Sequence, residues 1–501
     1  SLVRRDGLLW LGTSSGLMFL QDHTITQTGL PRALLHTEIS SLLQDRNGNL
    51  WIGTLTGIYR IFPNGQFKRV MDNTQLSHSW VDSLFEDRHG NLWLGSHTQG
   101  LFRASNGWVR RYGRQQGMAD PFVWSIIKGP GQSLLIGTNS NVSEMQNGHF
   151  KVLIPGRKLP NASVYTLYQD SIGQLWIGTH YGVALYAHGK VSIPAEFKPL
   201  SKWQINQIIE WPRGTLWIGT QGGLFRFHNN TLSRYGASTG SNAARIRSIY
   251  PVGPDKLLLG TEDGVRLFDH GTVSTPPWAV SLHGRLVTEI GVLQPGTIML
   301  ATMASGIGLV RNNRLHKLDT TLGLPNNNVW TFNILGKNVY FSSIAGVWRI
   351  PVANLLRTLS RPDLRLHPEV LINAQDVVDG IYRDRCCNGS GGGRSLIDGK
   401  IIWYPSVSGL VALDTQAIPI QRNPGPPIIQ DLQHNQQWYG HGQKLQLPLG
   451  YRDINIHYTV PTLSPWQAIS FRKKLDNYES TWKLIDRRRQ VWYTKLPPGH
   501  Y

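Results

Sequence analysis

An all-β fold assembled from β-propeller blades, followed by a β-sandwich, is the class this sequence predicts. Three observations predict it. A phrase of the form Leu-Trp-Ile-Gly-Thr recurs along the chain. Its anchor positions, 10, 51, 93, 135, 176, 217, 258, 299 and 340, lie 41 or 42 residues apart, and a last copy centres on Trp403. Glycine and tryptophan are abundant, 53 and 18 of 501 residues, whereas charged residues make up only 16%. A period near 40 with a tryptophan anchor is the signature of a four-stranded blade, because solenoid repeats of that length are mostly helical.

Each element of a copy has a physical reason. The first strand alternates, as in Ile39-Ser-Ser-Leu-Leu43, and ends in Asp45-Arg-Asn-Gly48. Asp at the first and Gly at the last position of four suits a type I turn, in which the carboxylate accepts bonds from backbone N–H groups ahead of it. Leu50-Trp51-Ile52 then reads as a strand apolar on both faces, as expected where both faces are covered. Gly53 leaves room for a close neighbour, and Gly57 permits positive φ at the next turn. A third strand such as Ile58–Phe62 and a fourth complete the blade, and stacking buries faces that a lone blade would expose. Ten four-stranded blades are expected. Ser1-Leu-Val aligns with Ser41-Leu-Leu, so the first copy is expected to start inside a blade.

Composition narrows the classes. A hydrophobic content of 40% excludes a disordered chain. The net charge of +19 brings nucleic acid to mind, yet no block of five or more consecutive Lys/Arg occurs, and no nucleic-acid partner is expected. Cys386 and Cys387 are the two cysteines, which excludes a disulfide scaffold and a cysteine zinc site. A bridge between neighbours closes a strained ring, so free thiols are expected. No window of 18 apolar residues is present.

The period ends near Leu413-Asp414. The Pro-rich joint Asn423-Pro-Gly-Pro-Pro427 marks a boundary. Beyond it Ile454–Tyr458, Ile469–Lys473 and Val491–Thr494 alternate as strands of a separate sandwich.

At these residues the chain resembles the two-component regulator propeller (Reg_prop) repeat, whose hallmark is the LWIGTxxGL phrase. The tail resembles the Y_Y_Y domain through Phe471-Arg-Lys-Lys-Leu475, Trp482 and Tyr493-Thr-Lys-Leu-Pro-Pro-Gly-His-Tyr501, with Phe471 in place of the first tyrosine. The resemblance implies paired seven-bladed rings. Residues 1–121 would then be the last three blades of one ring, 122–422 a complete seven-bladed ring, and 423–501 an incomplete Ig-like β-sandwich. It also implies the periplasmic sensor region of an inner-membrane signalling protein, dimeric through the Y_Y_Y domain. A membrane segment and an output domain, a histidine kinase or a diguanylate cyclase, would lie outside these residues. Arg385-Cys-Cys387-Asn-Gly389 is similar to a stretch of the cyclase branch.

The two residues after each Gly-Thr vary between copies, as do the blade-to-blade connections, and in a propeller both lie on one face. That face offers His180, Tyr181, Gln221, Arg245, Arg247, Glu262, Asp263 and Trp330 as candidate ligand-binding residues. Aromatic rings among hydrogen-bonding groups suit a small polar molecule or an oligosaccharide, and the arginines suit an anionic one. No cofactor, catalytic residue or metal site is expected. Glu262 and Asp263 are adjacent on a tight turn and are expected to point apart, which disfavours a catalytic carboxylate pair. His180-Tyr181 lacks the further histidines of a metal site. The competing classes are a propeller hydrolase or lyase, a quinoprotein-like enzyme and a protein-interaction scaffold. A second basic cluster, Arg472–Lys474, Lys483, Arg487–Arg489 and Lys495, carries eight cations against three carboxylates, net +5, and suits anionic head groups.

Overall fold

The computed structural model describes residues 1–501 except 6, 71–79, 88–91, 99, 105–107, 236–244, 344–345, 374–386, 388–393, 419–425, 435–436, 441–445, 447–452, 461–470 and 487. The chain divides into two compact units, Ser1–Pro419 and Ile420–Tyr501. Among the described residues the first holds ten antiparallel sheets, each built on one copy of the repeat. Strands pair in chain order within nearly every sheet. In the Trp176 sheet, for example, the strands are Val164–Gln169, Leu175–Thr179, Val183–Ala187 and Lys190–Ser192. The anchor strand is buried along its whole length in the Trp51, Leu135, Trp176 and Trp217 sheets. Among the described residues, no helix is long and apolar enough to cross a membrane.

The Asp-x-x-Gly turn forms as its chemistry predicts. Gly48 N–H returns to the Asp45 carbonyl at 2.9 Å, with Gly48 at φ 76°. The Asp45 carboxylate accepts the backbone N–H groups of Asn47 and Asn49, each at 2.9 Å. The glycine of Gly-Thr answers to packing between sheets. A Cβ on Gly137 would come within 2.8 Å of the Val164 carbonyl oxygen on the first strand of the next sheet.

The Leu135, Trp176, Trp217, Leu258, Met299 and Tyr340 sheets pack in succession, first strand against first strand. The Tyr340 sheet meets the strand entering the Trp403 sheet through Thr331 Oγ1 and Ser395 Oγ, 3.2 Å apart. The Trp403 sheet in turn packs against the first strand of the Leu135 sheet. Seven sheets therefore follow one another in a closed cycle.

One expectation is corrected here. The ten copies were expected to form four-stranded blades. Among the described residues the Trp93 sheet has three strands, and the segment that follows them, Val109–Tyr112, pairs instead with Gly409–Asp414 of the Trp403 sheet. Asp414 N–H donates to Trp108 O at 2.7 Å in the same ladder. The physical reason lies in Gly409–Asp414, buried at every position. A strand that cannot see water needs partners along both edges. Residues 109–112 thus pack with the sheets that follow residue 122.

A second correction concerns cysteine. Cys387 is disulfide-bonded and buried, not a free thiol. The expectation weighed the strain of a ring between neighbours and gave no weight to burial. Cys386 and the rest of the Arg385–Gly389 stretch lie outside the described residues.

The second unit contains a four-stranded sheet in the order Gln437–Gly440, Ile428–His434, Asp453–Thr459, Gln490–Thr494, and a separate pair, Phe471–Lys473 with Lys483–Asp486. Tyr458, Val460 and Phe471 form its small core.

Candidate functional site

One backbone bond recurs in the sheets of the cycle and shapes a face. The residue after Gly-Thr donates its N–H to the carbonyl of the residue entering the first strand. Asn139 donates to Phe122 at 3.2 Å, His180 to Ser163 at 3.0 Å, Gln221 to Gln204 at 3.1 Å, Glu262 to Arg245 at 3.2 Å and Met303 to Leu286 at 2.9 Å. Variable loops and connections therefore meet at the same end of each sheet.

The first strands enter this face through a repeated irregularity. Their pairing skips one residue near the start, a β-bulge, in six of the seven sheets. The skipped residues are Trp124, Tyr165, Asn206, Arg247, Thr288 and Trp330. A bulge re-aims a side chain out of the ladder's alternation. The sequence flags these positions only in retrospect. All but Trp330 stand eleven residues before the anchor, and they are the chemically diverse members of an otherwise repetitive strand.

Around the cycle the bulged residues join the loops into two connected groups. The first is aromatic. Trp124 stacks on Tyr165 with ring centroids 4.6 Å apart and meets Phe122 at 4.8 Å. Tyr165 meets His180 at 5.6 Å, and His180 meets Tyr181 edge-on at 4.4 Å. Trp124 Nε1 donates to Asn139 Oδ1 at 2.6 Å. Tyr181 stands exposed at the end of this row. Burial raises the pKa of the Tyr165 hydroxyl above the usual phenol value, and the charge of nearby Arg247 opposes that rise.

The second group is polar. Gln221 Nε2 donates to Gln204 Oε1 at 3.1 Å, Gln204 Nε2 to Asn206 Oδ1 at 2.8 Å, and Arg247 Nη1 reaches Asn206 Oδ1 at 3.4 Å. Arg247 also holds Glu262 through Nη2 and, at 3.1 Å, through Nε. Arg245 Nη1 takes the other carboxylate oxygen at 3.0 Å. Two guanidinium groups thus share one carboxylate, leaving the group with one net positive charge.

Of the predicted site residues, Gln221, Arg245, Arg247 and Glu262 come together in this network, and His180 and Tyr181 adjoin it through Tyr165. Asp263 does not. Its carboxylate turns away from Glu262 to Arg266 Nη2 at 2.8 Å, Gly284 N–H at 2.6 Å and His283 Nε2 at 3.5 Å. The two neighbours therefore do not face one substrate bond as an acid–base pair would. Among the described residues Trp330 joins neither group, and its buried indole Nε1 finds no partner there. Among the described residues, no cluster of three His, Cys, Asp or Glu could hold a metal ion.

The basic patch of the second unit is partly spoken for. Glu479, only 8% exposed, takes Lys473 Nζ at 3.3 Å, Lys483 Nζ at 3.2 Å and the Tyr493 hydroxyl at 3.1 Å. Lys473 also lies over the Tyr493 ring, 4.0 Å from its centroid. Arg487 lies outside the described residues.

Comparison with known proteins agrees with the fold. The family described as "Two component regulator propeller" matches residues 33–56, 75–98 and 158–181, so the chain carries two-component regulator propeller repeats. The extracellular domain of BT3049 from B. thetaiotaomicron, assigned as a hybrid two component system, superimposes with a TM-score of 0.73 at 20% identity, over 100% of this chain and 69% of that one. The extracellular domain of BT4673 from the same organism, assigned as a one component system, gives 0.50 at 16% identity, over 99% of this chain and 71% of that one. At these identities the likeness shows a shared β-propeller fold. No curated protein matches the chain.

Proposed function

We propose that this chain is the extracytoplasmic ligand-sensing region of a transmembrane signal-transduction protein, and that its ligand is an oligosaccharide. One observation carries the reading. The bulged residues of consecutive sheets build an aromatic row, Trp124–Tyr165–His180–Tyr181, beside the Arg247–Glu262–Arg245 network. Flat apolar rings flanked by fixed donors and acceptors match the two kinds of surface on a sugar. The propeller repeats and the similar folds of signalling ectodomains support the sensing role. In this reading the seven-sheet cycle is one closed ring and the three preceding sheets belong to another. The second unit pairs two copies as a homodimer, and a periplasmic location places that unit beside the inner membrane. A histidine kinase or diguanylate cyclase outside these residues provides the output. Binding would act by favouring one arrangement of the pair over another.

Calorimetric titration of the purified chain with neutral and acidic oligosaccharides tests the reading. Micromolar binding of at least one of them, weakened about 10-fold or more by Trp124→Ala at unchanged melting temperature, is the expected result. Binding that ignores Trp124→Ala would move the ligand elsewhere. Turnover of any oligosaccharide would replace the sensor with an enzyme.

A further inference from the structure

The second unit has an outer face that none of the predicted ligand-binding residues occupies. In its four-stranded sheet, Trp438, Gln433, Asn455 and Trp492 are direct cross-strand partners in one row. Cross-strand partners share a side of the sheet, and successive residues of a strand alternate sides. Tyr458 and Val491, on the other side, pack with Phe471 and Ile485 of the strand pair. The row therefore lies on the outside of the sandwich. Its two indoles sit on the two outer strands of the sheet and stand in solvent, Trp438 55% and Trp492 52% exposed.

Three strand spacings, about 14 Å, separate the ends of the row. Trp438 does not point straight out. Its ring centroid is 4.9 Å from that of His457, which stands two strands away. The indole must lean across the intervening strand to make that contact, so it lies over the sheet as a platform. The ring it leans towards is held. His457 Nδ1 is 2.9 Å from Asp431 Oδ1, and the buried Asn455 donates Nδ2 to His457 Nε2 at 2.9 Å. Gln433 between the indoles and Gln490 opposite His457 add amides to the same side. Charge narrows what can settle there. Asp431 and Asp453 fall on this side in the rows flanking Trp438 and Trp492, one on each flank. Carboxylates on both flanks repel uronates, sulfates and anionic lipid head groups.

We propose that this outer face binds a neutral polysaccharide chain, laid across the strands from Trp438 to Trp492. Each indole covers the apolar face of one sugar ring, and Gln433, Gln490 and Asp431 meet the hydroxyl groups between them. The site uses none of the residues of the propeller face, and its flanking charge is of the opposite sign to that of the Arg245–Glu262–Arg247 network. It is a second binding site, independent of the ligand reading above.

Affinity electrophoresis of the full chain tests it, in native gels containing mixed-linkage β-glucan, xyloglucan or galactomannan. All variants carry Trp124→Ala, which takes the propeller face out of the measurement. The expected result is retardation by at least one of the three polymers, weakened about 5-fold or more by Trp438→Ala and by Trp492→Ala. Retardation by polygalacturonate should be indifferent to both substitutions. If Trp438→Ala lowers the melting temperature, Trp492→Ala decides. No retardation by any neutral polymer, or retardation untouched by the deciding substitution, overturns the proposal. If instead a substitution splits a dimer in sedimentation while no neutral polymer retards the chain, the face pairs two copies and the proposal falls. The propeller reading is tested through Trp124 alone and stands or falls separately.

Discussion

The indole Nε1 of Trp176 donates to the Asp170 carboxylate at 2.8 Å. The same bond joins Trp51 to Asp45 at 2.8 Å and Trp93 to Asp87 at 3.0 Å, always across six residues. Where Trp211 replaces the aspartate, Trp217 Nε1 turns to the Trp211 carbonyl at 2.6 Å. Where Arg4 and Ile397 stand at that position, the indoles of Trp10 and Trp403 have no partner among the described residues. The repeat thus couples its turn to its core: one carboxylate closes the turn and satisfies the anchor donor.

That coupling is measurable. Asp170→Ala strands the Trp176 indole and the backbone N–H groups of Ile172 and Gln174, so a cost of about 1–3 kcal/mol is expected. Trp176→Phe removes the donor itself. In a double-mutant cycle read by chemical denaturation, the combined loss should fall below the sum of the single losses. A strictly additive result would mean that the bond carries no coupling energy.

Gly137→Ala tests the approach of neighbouring sheets. The added methyl would sit 2.7 Å from Val164 Cγ1 and 2.8 Å from its carbonyl oxygen. Overpacking of that kind costs about 1–3 kcal/mol. Scanning calorimetry should show the first unit melting earlier, whereas Gly440→Ala, where a Cβ meets nothing within 4 Å, should leave it unchanged.

Closure by Val109–Tyr112 predicts where the cycle can be cut. A chain beginning at residue 122 leaves Gly409–Asp414 with one bare edge, and one beginning at residue 100 keeps its partner. Hydrogen exchange along residues 409–414 should be faster by orders of magnitude in the shorter chain. Equal protection in both would show that the strand is dispensable.

The second unit carries an acid-sensitive tie. Burial pushes the Glu479 carboxyl up, but the Leu475 N–H and the ammonium groups of Lys483 and Lys473 outweigh it and hold the pKa at about 2. In the unfolded chain a glutamate titrates near ~4.3. Because the folded value is the lower one, the tie stabilises fully above the unfolded pKa and is lost as pH falls from there towards 2. Glu479→Gln should melt earlier at pH 7 and flatten the pH dependence below pH ~4.5, followed by the fluorescence of Trp438, Trp482 and Trp492. An unchanged slope in that window would assign the acid sensitivity to other groups.

The blades were legible because their causes are local. Leu50–Ile52 is apolar because both faces are covered, and Asp45–Gly48 turns because of its own side chains, so sequence spacing is enough to place them. The ligand face was legible in part. Glu262, Arg245 and Arg247 lie on loops that the repeat brings to one end, but the phase of the bulge that turns Trp124, Tyr165 and Asn206 onto that face is set by strand pairing. Glu262 and Asp263 were expected to point apart because they adjoin on a tight turn, and Asp263 does turn the other way, to Arg266, but that partner lies outside what adjacency shows.

By itself the sequence determined the repeat, its strand content, the turn chemistry and the end of each blade where variation gathers, since all of these act over a few residues. Only the tertiary structure decided that Val109–Tyr112 serves a sheet some 300 residues later and that Arg394 reaches the carbonyl of Arg247. Both contacts exist because the sheets close on themselves. Closing a cycle brings together residues whose separation along the chain carries no information about their distance in space.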